Sequence, residues 1–258
     1  VSFLRRAVGA GRGCHNGAMT SKVDAETALM RRRLLIGLVL VLLGAALGLV
    51  IALAAANHPL SADSWWLARM LEIRTSVLLS FGFAMNWIGG GWFAIFGLPV
   101  LIALILVLLR RPWGALFFVA CELVSAGIVQ LLKHSFARPR PEEILTASDF
   151  GSFPSGHAAN AATIAVALFI LFPRAWVAIA GVVWVLLMAF SRTLMGAHWL
   201  SDTVGGALLG AGAALLVAAA MTVPLARERM RADARAAGVL PHIVNGEEDL
   251  AEGTAPPR

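Results

Sequence analysis

The sequence predicts an all-α integral membrane protein, a bundle of six transmembrane helices. Of its 258 residues, 59% are hydrophobic and only 14% are charged, and the mean hydropathy is +0.79. A soluble protein has about 25% charged residues, so this composition excludes an ordinary soluble domain. The uncharged runs are also longer than a globular core needs, and about 20 apolar residues suffice to cross a bilayer.

The individual spans are predicted from the uncharged segments. The first, 34–56, follows three arginines and is too long for a signal peptide, whose apolar region has about 7 to 15 residues, so we expect an uncleaved anchor. The segment 75–109 contains three consecutive glycines, which predict an interfacial helix followed by a span over 92–109. The other predicted spans are 113–132, 158–172, 175–190 and 203–223.

The basic residues predict the orientation, because Lys and Arg near span ends favour the cytoplasmic face. Six spans place the arginines at 31–33, 110–111, 174 and 227–231 on one face. A seven-span division would move most of them outside, so we reject it. The Ala-, Gly- and Arg-rich composition is typical of a bacterial source, and we therefore expect a multi-pass protein of the bacterial cell membrane with both termini in the cytoplasm.

Three regions follow from this topology. We expect a disordered cytoplasmic tail over 1–33, a six-span domain over 34–223 and a partly disordered cytoplasmic tail over 224–258. Met19 is a candidate start residue within the first region. The net charge of +6 is modest and is distributed in short clusters between spans, so no nucleic-acid partner is expected. The oligomeric state is not predicted.

A second set of cations lies on the opposite, outer face, against the usual charge bias. Its members are Lys133, Arg138, Arg140 and Arg192. Binding an anion is the simplest explanation, and snorkelling to lipid headgroups is the alternative. We interpret Arg138 as an auxiliary anion contact or a headgroup anchor. Glu122, within a predicted span, is either a neutral packed carboxyl or part of a lipid cavity.

Two further outer-face segments contain groups suited to phosphoryl transfer. Ser155 and Gly156 precede an apolar helix, whose first N–H groups can hold a phosphate, although a plain helix cap is the alternative. His198 and Asp202 are four residues apart, and a carboxylate that fixes one imidazole nitrogen leaves the other free to attack. His157 can protonate a leaving oxygen, because an imidazole has a reference pKa of about 6.5. An interfacial cap is the competing interpretation for both histidines.

The three segments together resemble the signature of the type 2 phosphatidic acid phosphatase superfamily. They read Lys133, six residues, Arg140-Pro141; then Pro154-Ser155-Gly156-His157; then Ser191-Arg192, five residues, His198, three residues, Asp202. That superfamily includes membrane lipid phosphatases, undecaprenyl diphosphatases and vanadium haloperoxidases. The resemblance covers roughly 34–223 and departs from the pattern at no signature position.

The resemblance implies a hydrolysis that needs no metal or other cofactor and proceeds through a phosphohistidine. It implies that His198 is the nucleophile, Asp202 its orienting carboxylate and His157 the general acid. The implied phosphate ligands are Lys133, Arg140, Ser155, Gly156 and Arg192.

The leading hypothesis is a membrane lipid phosphatase with its site at the outer interface. Candidate substrates are undecaprenyl diphosphate, phosphatidic acid and phosphatidylglycerophosphate, and the motifs do not choose among these phosphorylated membrane lipids. A lipid phosphotransferase of the same superfamily and a non-catalytic lipid-phosphate carrier are the alternatives. A haloperoxidase is disfavoured, because those relatives are soluble.

Overall fold

The computed structural model describes residues 2–90, 93–146 and 149–238, with side chains from Asp24 onward except that of Ile95. This part of the chain is all-helical. Its helices are α1 (Ser2–Ala54), α2 (Ser61–Glu72), α3 (Ser76–Gly89), α4 (Leu98–Leu108), α5 (Pro112–Phe136), α6 (Gly156–Leu171), α7 (Ala175–Leu194), α8 (Leu200–Ala220) and α9 (Thr222–Ala236), with a π-helical segment Phe93–Gly97 leading into α4.

The predicted all-helical membrane architecture is confirmed. In the described residues, four helical segments are long and apolar enough to cross a bilayer: Asp24–Ala54, Pro112–Phe136, Ala175–Leu194 and Leu200–Ala220. Helices α3, α4 and α6 are also apolar but shorter. The predicted start of the second span at Trp92 lies outside the described residues.

Helix extends into both predicted tails. Helix α1 begins at Ser2 instead of near residue 34. Residues 24–33 are rich in Ala, Glu, Leu, Met and Arg, which favour helix, and they extend a helix that is already nucleated, so the nucleation cost is avoided.

The C-terminal region begins with α9, which packs against the bundle. Buried Glu228 accepts hydrogen bonds from the N–H groups of Trp113 at 2.6 Å and Gly114 at 3.0 Å, and so caps the start of α5. Arg111 lies 3.6 Å from the same carboxylate. The acidic stretch at 247–249 and the Pro-rich end lie outside the described residues.

Helix α8 lies at the centre of the bundle, against α1, α5 and α6. Glycines allow this close approach: a Cβ at Gly206 would overlap the carbonyl oxygen of Ser155, and one at Gly210 would overlap that of Ala159. The core beside this contact consists of Phe117, Phe118, Cys121, Ala167, Ala214 and Ala218. The starts of α6 and α8 therefore lie side by side, next to the ends of α5 and α7.

Candidate active site

His198 lies in the turn between α7 and α8 and is only 4% exposed. Its Nδ1 is 2.8 Å from the carbonyl oxygen of Ser152, and its Nε2 is 3.1 Å from Nη1 of Arg140. A guanidinium only donates, so Nε2 is an acceptor and the imidazole proton is on Nδ1. Burial lowers the pKa of His198 to about 4, so this imidazole is neutral at pH 7.

Asp202 is completely buried in the first turn of α8. Its Oδ1 accepts a hydrogen bond from Nη1 of Arg138 at 2.6 Å. Its Oδ2 accepts from the Ser152 hydroxyl and, at 2.8 Å, from the N–H of Trp199. The distance from Oδ2 to Nδ1 of His198 is 3.6 Å, which is too long for a good hydrogen bond. Asp202 therefore orients the imidazole chiefly through Ser152, whose carbonyl accepts the Nδ1 proton.

Two of the predicted cations share one carboxylate. Lys133, buried in the last turn of α5, lies 3.1 Å from Oδ1 of Asp149, and Nη2 of Arg140 lies 2.6 Å from the same oxygen. Both cations also donate to the carbonyl oxygen of Gly151, at 3.0 and 2.9 Å. Burial lowers the pKa of Arg140, and the charge of Asp149 opposes that effect. The Asp149 carboxylate thus occupies donors that a phosphate would use.

Arg192, in the last turn of α7, is only partly paired. Its Nη1 donates to Oδ1 of Asn86 at 2.6 Å. Its Nε and Nη2 are buried and have no hydrogen-bond partner within the described part of the chain. Unpaired buried donors are costly, so this guanidinium is suited to an incoming anion.

The start of α6 contributes the remaining predicted groups. The Ser155 hydroxyl accepts from the N–H of Ala158 at 3.4 Å as a helix cap, and the Ser155 N–H donates to the Asp202 carbonyl at 3.0 Å. Contrary to expectation, this N–H is therefore not free for a phosphate. The N–H of Gly156 has no acceptor among the described residues and remains free.

His157 lies close to the other site residues. Its ring packs against Gly89 and Gly90 at the end of α3, where an added Cβ at Gly90 would overlap Nε2. This Nε2 is buried and has no partner among the residues that the structure describes. Arg192, His198 and Lys133 are near enough to interact electrostatically with the imidazole. The three predicted segments thus meet at one end of the bundle.

All three segments fall within 114–224, which match the sequence model of the PAP2 superfamily. This segment is therefore similar to the PAP2 superfamily. The chain is similar to the crystal structure of a transmembrane PAP2-type phosphatidylglycerolphosphate phosphatase from Bacillus subtilis, with a TM-score of 0.62 and 27% identity over 70% of this chain and 93% of that one. The fold is also that of Aquifex aeolicus LpxE, with a TM-score of 0.55 and 21% identity over 61% and 95% of the two chains.

Two relatives of known activity match part of the chain. A lipid A 1-phosphatase of Rhizobium johnstonii is 35% identical over 118 residues, which are 41% of this chain and 47% of the relative. An undecaprenyl-diphosphatase of Sulfolobus acidocaldarius is 30% identical over 116 residues, 42% and 55% of the two chains. The chain spans about half the length of each relative.

Arg138 is placed differently from the sequence interpretation. It is 1% exposed, and it forms ion pairs of 2.6 Å with Asp202 and 2.8 Å with Asp63. It is therefore neither a headgroup anchor nor an anion contact in the candidate site. In the sequence, Arg138 lies in a predicted loop between Lys133 and Arg140, and nothing in that pattern predicts that its side chain is buried.

Other residues of the candidate site could not be found from the sequence. They are Asp63, Asn86, Asp149 and Ser152, and each holds one of the predicted groups. Asn86 and Asp63 lie upstream of the matched segment, in α3 and α2. Their distance in sequence from the motifs follows no fixed pattern, so the sequence did not identify them as site residues.

Proposed function

We propose that the protein is a membrane lipid phosphatase that moves a phosphoryl group from a lipid phosphate or diphosphate to water through a phosphohistidine at His198. One observation carries this proposal. His198 is a buried, neutral imidazole whose unprotonated Nε2 faces the guanidinium of Arg140, within a cluster that includes Lys133 and Arg192. A nucleophile beside several cations is suited to attack on a phosphorus atom.

In the first step, Nε2 of His198 attacks phosphorus and forms a P–N bond. The P–O bond to the lipid breaks, and its electron pair stays on the leaving oxygen. His157, whose protonation is favoured by the negative charge of the bound phosphate, gives that oxygen a proton. The new positive charge on the His198 imidazole is stabilised because its Nδ1–H donates to the Ser152 carbonyl, beside the Asp202 carboxylate.

In the second step, water attacks the phosphohistidine. His157, now neutral, takes a proton from the water, the P–N bond breaks and its electron pair returns to Nε2. Inorganic phosphate leaves, and both histidines regain their starting protonation. Lys133, Arg140, Arg192 and the Gly156 N–H stabilise the charge on the equatorial oxygens in both steps.

The proposed topology has six spans, formed by α1, the π-helical segment with α4, α5, α6, α7 and α8, with the site at the extracytoplasmic end. The opposite end supports this orientation, because it contains the basic clusters. There Arg33 donates to the Ala218 carbonyl at 3.3 Å, and Arg111 lies beside Glu228 of α9. Both the start of the first spanning segment and α9 thus lie at this basic end, which is the cytoplasmic end by the positive-inside rule.

The substrate class is proposed from the relatives. Lipid A phosphate, undecaprenyl diphosphate and phosphatidylglycerophosphate are the substrates named for similar proteins. All three present a phosphate at the membrane surface, and the site residues proposed here would bind the phosphate and not the lipid. Phosphatidic acid completes the panel to be tested.

The test is phosphate release from these four lipids by purified protein in detergent with EDTA. His198→Ala is the test variant, and His134→Ala is the matched control, because His134 is an exposed histidine at the same end of α5. We expect release from at least one lipid, loss in His198→Ala and no loss in His134→Ala. A labelled phosphoenzyme that survives base and is lost in acid would identify the P–N bond.

Two results would redirect the proposal. Transfer of label to an added lipid alcohol, in place of release, would indicate the phosphotransferase. Binding of phosphorylated lipid with no turnover, unchanged in His198→Ala, would indicate the carrier.

A further inference from the structure

A buried ionic cluster lies behind the catalytic carboxylate. Arg138 donates from Nη1 to Oδ1 of Asp202 at 2.6 Å and from Nη2 to Oδ2 of Asp63 at 2.8 Å. The three side chains are at most 1% exposed. Ser201 completes the cluster: its N–H and its hydroxyl each donate to Asp63 at 2.8 Å, and its hydroxyl also accepts from Arg138 at 2.8 Å.

We propose that Arg138, held in place by Asp63, is a positioning residue that fixes the catalytic carboxylate of Asp202. This inference rests on the proposed function, since it assigns a role in the same reaction. Arg138 cannot bind the substrate phosphate, because both of its terminal nitrogens already donate to carboxylates and its side chain is fully buried.

The two oxygens of Asp202 have different partners, which explains how Arg138 acts. Within the described residues, Arg138 alone donates to Oδ1. Oδ2 instead accepts hydrogen bonds from the Ser152 hydroxyl and the Trp199 N–H. The strong bond at Oδ1 therefore sets the rotation of the carboxylate, and with it the place of Ser152, whose carbonyl holds the Nδ1 proton of His198.

Asp63 extends this support to a helix outside the PAP2 segment. It lies in α2 and is 75 residues from Arg138 in sequence. By bonding both Arg138 and the backbone of Ser201, it fixes the guanidinium relative to the residue that precedes Asp202. The position of the catalytic carboxylate thus depends on contacts that the family motifs do not include.

The test separates positioning from simple structural support. Arg138→Gln leaves two buried carboxylates without their shared cation, so loss of folding alone could abolish its activity. The double variant Arg138→Gln with Asp63→Asn removes one charge of each sign and relieves that repulsion. We expect its thermal unfolding midpoint to return close to that of the wild type, while kcat for lipid phosphate stays lower by about 100-fold and KM changes little.

Two further variants sharpen this result. Arg138→Lys keeps a cation beside Asp202 and should recover part of kcat. Arg74→Gln is the matched control, because Arg74 also ties loops together at this end, through the carbonyl oxygens of Leu194 and Glu143, but has no contact with Asp202. It should lower the unfolding midpoint and leave kcat unchanged. If the double variant recovers kcat together with its stability, the positioning role is overturned.

A second measurement does not depend on turnover. Histidine ¹⁵N NMR of the protein in micelles follows protonation of His198 with pH. In the double variant, Asp202 has lost its cation, so the protonation midpoint of His198 should rise by about one pH unit. An unchanged midpoint overturns the positioning role. A wild type inactive on every lipid counts against the proposed function alone, and the NMR shift then decides the role of Arg138.

Discussion

Replacing Asp149 by Asn should tighten phosphate binding. In the structure, one carboxylate oxygen of Asp149 lies 3.1 Å from Nζ of Lys133 and 2.6 Å from Nη2 of Arg140. The carboxylate thus acts as an internal anion on two cations of the proposed phosphate site. A substrate phosphate must displace it to reach Arg140, whose Nη1 is already engaged by Ala197 and His198.

The expected size follows from the exposure of the partners. The Asp149 side chain is 57% exposed, whereas those of Lys133 and Arg140 are 2% and 11% exposed. An ion pair with an exposed member contributes about 0.2 to 1 kcal/mol, and the buried partners favour the upper end of that range. About 1 kcal/mol corresponds to about a fivefold change in affinity.

The assay measures KM for a lipid phosphate and the competitive inhibition constant of inorganic phosphate. Both should fall by about fivefold in Asp149→Asn, and the effect should shrink as ionic strength rises. Glu142→Gln is the matched control, because it removes one exposed negative charge from the same loop and its side chain has no ion pair in the described residues. A higher KM in Asp149→Asn, or an equal change in Glu142→Gln, would refute the reasoning.

Two other substitutions test the site histidines. The pKa of His198 is about 4 in the folded protein and about 6.5 in the unfolded chain, so the unfolded chain binds more protons between these pH values. The free energy of unfolding should therefore fall by about 2 kcal/mol from pH 7 to pH 5. Thermal melts should show a smaller fall over this pH range in His198→Gln. Gly90→Ala should displace the His157 ring and lower kcat by about 10-fold or more, whereas Gly127→Ala, which meets nothing within 4 Å, should not.

Much of the fold could be predicted because the bilayer imposes strict length and composition on each span. Four of the predicted spans correspond to helices that are long and apolar enough to cross it. The tails were harder, because polarity alone does not separate a disordered segment from a surface helix. Glu228 shows the difference: a charge in a polar tail proved to be a buried cap on α5.

The sequence also predicts that the cations and histidines lie close together, and the structure brings them to one end of the bundle, while their roles stay predictions. The residues that accept hydrogen bonds from these cations and histidines could not be predicted. Asn86 and Asp63 come from helices whose approach to the site depends on tertiary packing, and Asp149 and Ser152 lie in the connection between α5 and α6. Residues in such a connection follow no helical periodicity, so the hydrogen-bond partner of a short polar side chain there cannot be predicted from the sequence.

The distribution of these acceptors gives the site an uneven charge before substrate binds. Lys133 and Arg140 share the negative charge of Asp149, whereas Arg192 is paired only with the neutral amide of Asn86 and retains two buried, unpaired donors within the described structure. Arg192 is therefore the cation whose charge is least compensated, so an incoming phosphate gains most by contacting it first. We expect displacement of Asp149 from Arg140 to follow, because Nη1 of Arg140 lies 3.1 Å from Nε2 of His198, the proposed nucleophile.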